Sequence, residues 1–463
     1  MAADIGRGRL RPGDALPGSR TLARSLGVQR LTVVAAYEEL AADDWVVTRG
    51  TRGTFVAAAL PDPRPLPRPA AAGPRERVAL DLPPPPPGIL PYPAPRGALL
   101  FAPNRPDVRL IPSGLIGRAY GRALRRDGPV LLAYGRPQGH ERLRVAVAAM
   151  LSATRGLAVT ADDLCITRGS QMGIALLARA LLRPGDVVGV EELAHPPAVE
   201  AFRQQGAAVV PIPLDAEGVK IEPLEALARD PRLRAVYVTP HHQFPTTVTL
   251  SPARRQRLLG LARARRFVII EEDYDHEFHY DGRPVLPLAS ADHWGLVAYV
   301  GTFSKVLAPG LRTGYVVAPR ALLASVVAHR LHIDVQGDRV LECALARLIE
   351  QGEVQRHIRK VRREYAARRD VLVEALRRSL PDELSFGVPA GGIALWAQAA
   401  EGIDVDRWAE RARRRGAVVA TAASFAVDRR PRPFLRLGFA ALDRRELVEG
   451  VRRLAAARPR PLA

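Results

Sequence analysis

A proline-rich segment divides this chain into two parts. Residues 57–95 hold 14 of the 41 prolines, including five in succession from Pro83 to Pro87. Because proline lacks an amide hydrogen and favours the polyproline II conformation, such a segment does not belong in a helical or sheet core. The sequence therefore predicts a semi-rigid linker at 57–95, between a small domain of residues 1–56 and a large domain of residues 96–463.

The composition excludes several classes of protein. Hydrophobic residues make up 47% of the 463 residues, which is enough for a large core. No uninterrupted apolar run reaches the roughly 18 residues of a membrane helix, and the amino terminus lacks the apolar stretch of a signal peptide. Two cysteines, Cys165 and Cys343, cannot form a disulfide framework or a cysteine-type zinc site. We therefore expect a cytoplasmic protein with no membrane partner.

The net charge of +20 does not locate a nucleic-acid site. Residues 1–56 carry eight basic and six acidic side chains, a net charge of only +2, and residues 57–95 add +1. The densest basic run, residues 355–370, reads QRHIRKVRREYAARRD. A solvated helix face is the simpler interpretation of this run, and a phosphate-facing surface is the alternative.

The first 56 residues predict two helices followed by a β-hairpin. Ser19 is placed as the cap of a short helix ending at Gly27, and a second helix follows Gln29 with one apolar face. The stretch WVVTRGTRGTFVA then alternates around a basic turn, as the wing of a winged helix-turn-helix would. Since the second helix of such a fold enters the major groove, the candidate DNA contacts are Ser19, Arg20, Arg30, Thr32, Arg49 and Arg52.

The stretch from Leu10 to Val56 closely resembles the winged helix-turn-helix domain of the GntR regulators, which bind operator DNA as dimers. Two departures bear on this resemblance. The helix that normally precedes the stretch is largely missing, so either the start codon is placed too late or the fold lacks one packing partner. Gln29 and Leu31 stand where many members have serine and asparagine, which changes the base contacts. A fold used only for protein contacts is the alternative.

Beyond residue 100, apolar strand-like runs alternate with amphipathic helical stretches. The runs are DLCITRG, DVVGVEE, RAVYVTP, FVIIEEDY and LVAYVGTFS. Short buried strands separated by helices predict a mainly parallel sheet with helices on both faces. Ligands bind such sheets at the carboxyl ends of the strands, so the functional residues should follow these runs.

Lys305 follows one of these runs and is one of only three lysines in the chain, against 65 arginines. A lysine amine can lose its proton and form an imine, whereas arginine remains charged and cannot. The neighbouring Ser304, together with Arg312 seven residues later, could bind a phosphate beside this amine. This setting favours a covalent cofactor over an ordinary surface lysine.

Two further segments supply chemistry that complements a lysine imine. Ser170 and Gln171 open a helix after a strand, where free amides and the helix dipole bind anions. Glu272 and Tyr274 lie where the strand FVII runs out, and a carboxylate and a phenol there suit a pyridinium nitrogen and a ring hydroxyl. An imine-forming lysine, a phosphate cradle and an acid together indicate pyridoxal phosphate.

Four histidines lie in the same strand-end loops and raise the question of a metal. His276 and His279 follow the acids, and His241 and His242 are adjacent in the loop TPHHQFPTT. Without cysteine support or a ligand geometry, the sequence gives no reason to assign zinc or iron, and we expect no metal. His195 and the pair at 241–242 are interpreted as lining the cofactor pocket or its rim.

Residues 98–455 resemble the aminotransferase-like domain of the MocR subgroup of GntR regulators. The matching motifs are FAPNRPDVRLIP, YGRPQGHERLR, TRGSQMGIALLARALLRPGD, YVTPHHQFPTTVTLSPARR, EEDYDHEFHYDGRP, YVGTFSKVLAPGLRTGY and FLRLGFA. The resemblance implies a large α/β fold type I domain, joined through the linker to the small α+β domain. It implies pyridoxal phosphate on Lys305, with Ser170, Gln171, Ser304 and Arg312 near the phosphate and Tyr274 by the ring hydroxyl. It also implies that Arg436 receives a carboxylate, with a purely structural arginine as the alternative.

Two positions depart from this family pattern. The family run Glu-Asp-Asp-Tyr-Asp reads Glu-Glu-Asp-Tyr-Asp here, so Glu272 stands where the pyridine-facing aspartate is expected. Asp273 cannot replace it, because neighbours on a strand point to opposite sides. The usual Pro-Thr-Gly reads Pro-Thr-Thr, so Thr247 replaces a glycine that is free to adopt positive φ. We expect cofactor binding to survive with weaker catalysis and an altered pocket edge.

The leading hypothesis is a dimeric transcriptional regulator that binds operator DNA. Through an aldimine at Lys305 it would sense pyridoxal phosphate itself or an amine or amino-acid effector. The alternative is an active pyridoxal phosphate-dependent aminotransferase with a vestigial DNA-binding module. A regulator that has lost the cofactor is a third hypothesis, which Lys305 and Arg312 disfavour.

Overall fold

The protein forms two compact units, divided between Pro85 and Pro86. The computed structural model describes residues 1–60, 95–101, 105–282 and 284–458. Most of the predicted linker, residues 61–94, therefore lies outside the described residues, as do residues 102–104 of the motif FAPNRPDVRLIP.

The small unit consists of three helices and a two-stranded hairpin. Its elements are α1 (Ala2–Gly6), α2 (Ser19–Leu26), α3 (Arg30–Ala42), β1 (Val46–Thr48) and β2 (Thr54–Val56). The hairpin is antiparallel, and its tip is a short helical turn at Gly50–Arg52. Gly27 ends α2 in the left-handed conformation, with φ of 66°, which glycine adopts without steric cost. The predicted winged helix-turn-helix is thus confirmed.

A small apolar core holds these elements together. It is formed by Ile5, Leu16, Ala23, Val33, Tyr37, Val46 and Val56. Because Ile5 belongs to this core, the five-residue α1 packs against the rest of the unit. The Tyr37 hydroxyl donates to the carbonyl of Pro17 at 2.6 Å, which fixes α3 against the segment that precedes α2.

One local prediction in this unit is wrong. Ser19 is the first residue of α2 and does not cap it; Gly18 occupies the cap position, without a side chain that could accept a bond from the helix. The Ser19 hydroxyl instead accepts a hydrogen bond from Nε of Arg30 at 3.3 Å. This bond joins the starts of the two helices of the helix-turn-helix.

The large unit contains eleven helices and fifteen strands within the described residues. The helices are α4 (Ser113–Leu131), α5 (Glu141–Arg155), α6 (Ser170–Leu181), α7 (Pro196–Arg203), α8 (Ile221–Leu227), α9 (Pro252–Arg265), α10 (Arg320–Leu331), α11 (Arg339–Glu350), α12 (Glu353–Ser379), α13 (Val405–Arg414) and α14 (Arg444–Ala456). The strands are β3 (Leu99–Leu100), β4 (Leu164–Thr167), β5 (Val187–Glu191), β6 (Ala208–Ile212), β7 (Leu214–Asp215), β8 (Gly218–Val219), β9 (Leu233–Val238), β10 (Val268–Asp273), β11 (Val297–Thr302), β12 (Gly314–Val317), β13 (Leu384–Ser385), β14 (Ala394–Ala399), β15 (Ala417–Val418), β16 (Ala420–Thr421) and β17 (Phe434–Gly438).

The central sheet has seven strands in the order β4-β12-β11-β10-β9-β5-β6. All neighbouring pairs are parallel except those of β12, which runs antiparallel to β11 and to β4. Every residue of β5 and of β11 is buried, as expected for strands covered on both faces. The predicted α/β fold class, with a mainly parallel sheet, is therefore confirmed.

The carboxyl-terminal part of the large unit adds a four-stranded antiparallel sheet in the order β13-β14-β17-β16. The 27-residue helix α12 precedes this sheet and carries the basic run of residues 355–370. The predicted solvated face is correct for Arg359, Arg362 and Arg363, which are exposed. It is wrong for Arg368, which is buried and donates to Oδ2 of Asp107 at 2.9 Å.

Membrane-spanning helices are absent from the described ranges, because none of the helices there combines sufficient length with sufficient apolar character.

Candidate functional site

A cavity of about 510 Å³ lies where the central strands end, in the range typical of small-molecule sites. All of the residues that the sequence predicts for the cofactor line it: Ser170, Gln171, Glu272, Tyr274, Ser304, Lys305 and Arg312. They lie at the carboxyl ends of β4, β10 and β11, except Arg312, which precedes the antiparallel strand β12, so the sheet brings together residues as far apart in the chain as 170 and 312. This convergence follows the rule for parallel sheets stated above.

Lys305 lies three residues beyond the end of β11. Burial lowers the pKa of its amine from 10.5 to about 8, with the positive charges of Arg436 and Arg312 acting in the same direction and Glu272 opposing them. At pH 7.5 a pKa near 8 leaves about a quarter of the amine neutral, against about 0.1% for an ordinary lysine. The neutral amine is the nucleophilic form, so the cavity prepares Lys305 for imine chemistry.

The cavity contains a cradle for an anion at the amino terminus of α6. Gly169 precedes α6 with φ of 78°, and a Cβ at this position would approach the guanidinium of Arg312 to 2.9 Å. Glycine therefore allows Arg312 to reach the helix terminus, where Nη2 donates to the Arg168 carbonyl at 2.8 Å. Ser304 lies buried nearby, with its amide donating to Oγ1 of Thr302 at 3.1 Å. A guanidinium beside free helix amides suits a phosphate group.

Gln171 has an amide group that is only half satisfied. Its Nε2 donates to the Pro197 carbonyl at 2.8 Å, while Oε1 is buried and has no hydrogen-bond partner among the described residues. Buried polar atoms are rarely left in this state, so a ligand donor or an ordered water in the cavity would complete the site.

Glu272 and Asp273 point to opposite sides of β10. Glu272 faces the cavity and accepts a hydrogen bond from the hydroxyl of Tyr237. Asp273 faces away and accepts from the hydroxyl of Tyr299 at 2.7 Å. The side-chain alternation expected of a strand is therefore observed, and it is Glu272 that occupies the position facing the cavity.

Tyr274 and Arg436 meet at the inner wall of the cavity. Burial raises the pKa of the Tyr274 phenol well above 10, with Asp275 and Glu272 adding to the effect and Arg436 opposing it. The phenol therefore stays protonated and can donate a hydrogen bond. Arg436 itself is fully buried on β17, where Nε donates to the Pro245 carbonyl at 3.1 Å and the guanidinium lies 4.7 Å from the centre of the Phe244 ring. Tyr274 and Phe244 line the cavity, and Arg436 lies directly behind them.

Several lining residues were not singled out from the sequence. They are Arg105, Pro106, Val108, Phe244, Thr302 and Pro309. All six belong to matching motifs, FAPNRPDVRLIP, YVTPHHQFPTTVTLSPARR and YVGTFSKVLAPGLRTGY, so the motif matches were a usable signal for them. His195 also lines the cavity, with its ring edge against Phe244 at 5.4 Å. His241 and His242 are not among the described residues that line the cavity. Their rings pack against each other, and the His241 ring also stacks on that of His276.

Thr247 adopts a backbone conformation that favours glycine. Its φ is 66°, in the left-handed region that a β-branched residue rarely occupies. Its amide donates to the Gln243 carbonyl at 2.7 Å, which closes a tight turn. The turn therefore holds a β-branched residue at positive φ, and the backbone of Thr247 bears the strain.

The predicted DNA contacts lie on the exposed parts of the small unit. Arg20, Arg30, Thr32, Arg49 and Arg52 are exposed, and Ser19 is half-buried beneath Arg30. Arg52 ends the turn at the tip of the hairpin, and the guanidinium of Arg49 lies 5.5 Å from the centre of the Phe55 ring.

Leu31, one of the two departures from the GntR pattern, is 76% exposed in the first turn of α3. An exposed leucine at the start of this helix can contact a thymine methyl group but cannot donate a hydrogen bond to a base.

Two family models match the chain. Residues 1–56 match the gntR family of bacterial regulatory proteins, and residues 116–454 match aminotransferase class I and II. Among solved structures, the multiple substrate aminotransferase of Thermococcus profundus has a TM-score of 0.73 and 31% identity, covering 78% of this chain and 91% of its own. The α-aminoadipate aminotransferase LysN of Thermus thermophilus, complexed with N-(5'-phosphopyridoxyl)-L-leucine, has a TM-score of 0.73 and 29% identity, covering 78% of this chain and 92% of its own.

Similar sequences include both regulators and enzymes. The probable rhizopine catabolism regulatory protein MocR of Rhizobium meliloti is 30% identical over 99% of this chain and 92% of its own length. The regulator TauR of Rhodobacter capsulatus is 33% identical over 97% of this chain and 93% of its own length. Aromatic-amino-acid aminotransferase 1 of Thermococcus litoralis is 32% identical but covers 76% of this chain and 85% of its own. The two regulators thus span both units, whereas the aminotransferases align with about three quarters of the chain.

Proposed function

The chain belongs to the MocR subgroup of GntR regulators, and we propose that it controls transcription by coupling operator binding in its small unit to ligand binding in its large unit. One observation carries this proposal. A winged helix-turn-helix and an intact lysine-containing cavity occur in one chain that aligns with regulators over 97–99% of its length.

The cofactor of the large unit is pyridoxal phosphate, since the aminotransferase class I and II family depends on it. The cavity fits this group, because an amine, an anion cradle and a carboxylate converge there, and Gln171 keeps one unsatisfied oxygen. When bound, pyridoxal phosphate supplies an aldehyde that condenses reversibly with amines. In the proposed arrangement Lys305 is the covalent anchor, and Ser170, Ser304 and Arg312 hold the phosphate.

The other two cofactor contacts concern the ring. Glu272 would face the ring nitrogen and favour its protonated form, and Tyr237 holds that carboxylate in place by donating to it. Tyr274 would donate to the ring hydroxyl. The extra methylene of glutamate requires either the ring to shift or the side chain to fold, and we expect binding to be retained and catalysis to be weakened.

The proposed effector is an amine or amino acid, or the vitamin itself. With the cofactor bound, an effector amine would compete with Lys305 for it, and Lys305 as a neutral or charged amine would alter the charge in the cavity. Arg436 is proposed to receive an effector carboxylate, because its guanidinium lies against the Phe244 ring, which lines the cavity, and a guanidinium binds a carboxylate bidentately. Different ligand affinities in two domain arrangements then shift the equilibrium between them.

The operator-bound form is proposed to be a homodimer. Winged helix-turn-helix units bind half-sites in pairs, and a two-fold operator matches a two-fold protein. In each copy, α3 would enter the major groove with Arg30 and Thr32 near the bases, while Arg49 and Arg52 contact phosphates from the hairpin.

An active aminotransferase is the second candidate, because the cavity retains Lys305 and the large unit resembles working aminotransferases. Two assays on the full-length protein separate the candidates. The first is a gel shift on DNA from immediately upstream of its own gene, and the second is turnover of an amino-acid panel with keto acids. The regulator proposal predicts a specific shift and slow or absent turnover. Efficient turnover without any specific shift would refute it.

A spectroscopic control tests the role of Lys305. The wild-type protein should acquire a visible absorption band when pyridoxal phosphate is added, and Lys305→Ala should not. Lys360→Ala is the matched control, because Lys360 is an exposed lysine on α12. An identical band in the Lys305→Ala protein would remove this residue from the proposed site.

A further inference from the structure

Four histidines form a buried cluster on the side of β10 that faces away from the cofactor cavity. His241 and His242 follow β9, and His276 and His279 follow β10. His241, His242 and His276 are 3–5% exposed, and His279 is half-buried. The His241 ring stacks on that of His276 at 4.4 Å and lies 4.3 Å from that of His242. We refer to these four residues as the histidine cluster.

Three members of the histidine cluster have the spacing of a metal site. His241, His242 and His279 each offer a ring nitrogen, and the three nitrogens lie within 4.8 Å of one another. Nitrogens bound tetrahedrally to zinc at about 2.0–2.1 Å are separated by about 3.4 Å. Small rotations of the rings are therefore sufficient to bring the three nitrogens onto one ion.

The histidine cluster is also short of hydrogen-bond partners. Neither ring nitrogen of His241 has a hydrogen-bond partner within the described residues, and the His279 ring hydrogen-bonds there only to the backbone of Asp281. Burying a polar group without a partner costs on the order of 1–3 kcal/mol, so native structures seldom retain such groups. A bound ion would satisfy one nitrogen on each of these rings.

Asp275 orients one of the rings. Nδ1 of His242 lies 2.8 Å from Oδ1 of Asp275, which leaves Nε2 as the nitrogen available to an ion. A carboxylate bonded to the second nitrogen of a ligating histidine is the usual outer contact of zinc sites. Gly391 borders Nε2, and any side chain at that position would collide with it, so glycine keeps this nitrogen uncovered.

We propose that His241, His242 and His279 bind one divalent transition-metal ion of the zinc type, with Asp275 as the positioning carboxylate. Neutral imidazoles prefer Zn²⁺, Ni²⁺ or Cu²⁺ and do not favour Mg²⁺ or Ca²⁺, which require oxygen ligands. The sequence predicted no metal because it offered no ligand geometry, and the fold supplies that geometry by joining two strand-end loops. The ion would fasten the loop after β9 to the loop after β10, next to Tyr274 of the cofactor cavity.

The test measures Zn²⁺ in the untagged full-length protein saturated with pyridoxal phosphate, because a histidine tag would bind the same ions. After dialysis against a chelator and then against Zn²⁺, elemental analysis should find one zinc per chain. Titration should show that His279→Gln weakens Zn²⁺ binding by about 100-fold or more, and that Asp275→Asn weakens it by about 10–100-fold. His332→Gln, at an exposed histidine of the same unit, should bind as the wild type does.

Thermal unfolding provides the second readout, and it guards against a misfolded variant. Zn²⁺ should raise the melting temperature of the wild type and of His332→Gln, and should leave that of His279→Gln and of a second variant, His241→Asn, unchanged. Mg²⁺ should affect none of them. Equal zinc content in the wild type and His279→Gln, or no zinc in the wild type, would show that the histidine cluster is only packed side chains and would overturn the proposal.

Discussion

Replacing Lys305 by methionine tests the claim that the cavity destabilises a charged amine. The folded pKa of Lys305 is about 8, against 10.5 for an ordinary lysine. Because the cavity disfavours the charged amine, the free energy of unfolding is reduced at every pH below 8. This cost declines between pH 8 and pH 10.5 and vanishes above pH 10.5, where the unfolded chain is also neutral.

The size of the cost follows from the shift. A shift of about 2.5 pH units corresponds to about 3.4 kcal/mol at pH 7, and about 0.8 kcal/mol of it remains at pH 10. Lys305→Met removes the charge and keeps most of the volume. The difference in free energy of unfolding between the cofactor-free variant and the wild type should therefore be about 2.5 kcal/mol larger at pH 7 than at pH 10. Any benefit of the methionine side chain itself is independent of pH and cancels in this comparison.

The assay is urea unfolding of the cofactor-free proteins, followed by tryptophan fluorescence. Trp396 and Trp408 both lie in the large unit, and Trp408 is fully buried, so their signal reports its unfolding. Lys360→Met is the control, because Lys360 is exposed and should show no such difference between the two pH values. A stability difference between wild type and Lys305→Met that is the same at pH 7 and pH 10 would show that the cavity does not disfavour the charged amine.

Three further predictions concern other residues. Thr247→Gly should raise the free energy of unfolding by about 1 kcal/mol, because glycine adopts positive φ without strain. Thr246→Gly should lower it, because the variant loses a hydrogen bond to Gln243. Both values are measured by denaturant unfolding, and equal effects of the two substitutions would contradict strain at Thr247. Arg52→Gln should weaken binding to operator and unrelated DNA alike and reduce the slope of log affinity against log salt concentration by about 0.9. Arg229→Gln, at an exposed arginine of the large unit, should change neither quantity. A loss confined to operator DNA in fluorescence anisotropy would contradict a phosphate contact. Glu272→Gln should raise the pyridoxal phosphate dissociation constant by about 10–100-fold, and an unchanged constant in equilibrium dialysis would exclude a charged contact with the ring.

Much of the cofactor cavity could be predicted because its residues sit in local motifs. Lys305, Ser304 and Arg312 occur within eight residues of one another, and Glu272 and Tyr274 follow one strand. Alternation along that strand was enough to separate Glu272 from Asp273. The convergence of these segments on one edge followed from the parallel sheet.

Other features depend on contacts between distant segments, and no local pattern encodes them. The histidine cluster requires the loops after β9 and β10 to meet beside Gly391, more than 100 residues away in the chain. The buried Arg368 bonds to Asp107, and Ser19, which lies inside the helix that it was expected to cap, bonds to Arg30. In each case a side chain that reads as a surface or capping residue finds its partner only in the folded protein.

The central claim is that the operator and the Lys305 site are coupled, and thermodynamic reciprocity provides its most direct test. The affinity of the pyridoxal phosphate-loaded protein for an amine effector is measured from visible absorbance, with and without saturating operator DNA. The affinity for operator is then measured with and without that amine. Coupling requires the two ratios to be equal, and typical allosteric factors lie between about 5 and 150. In the wild type the two ratios should be equal and different from one, and in Lys305→Ala the amine should leave the affinity for operator unchanged. Ratios of one in the wild type would contradict the proposed coupling.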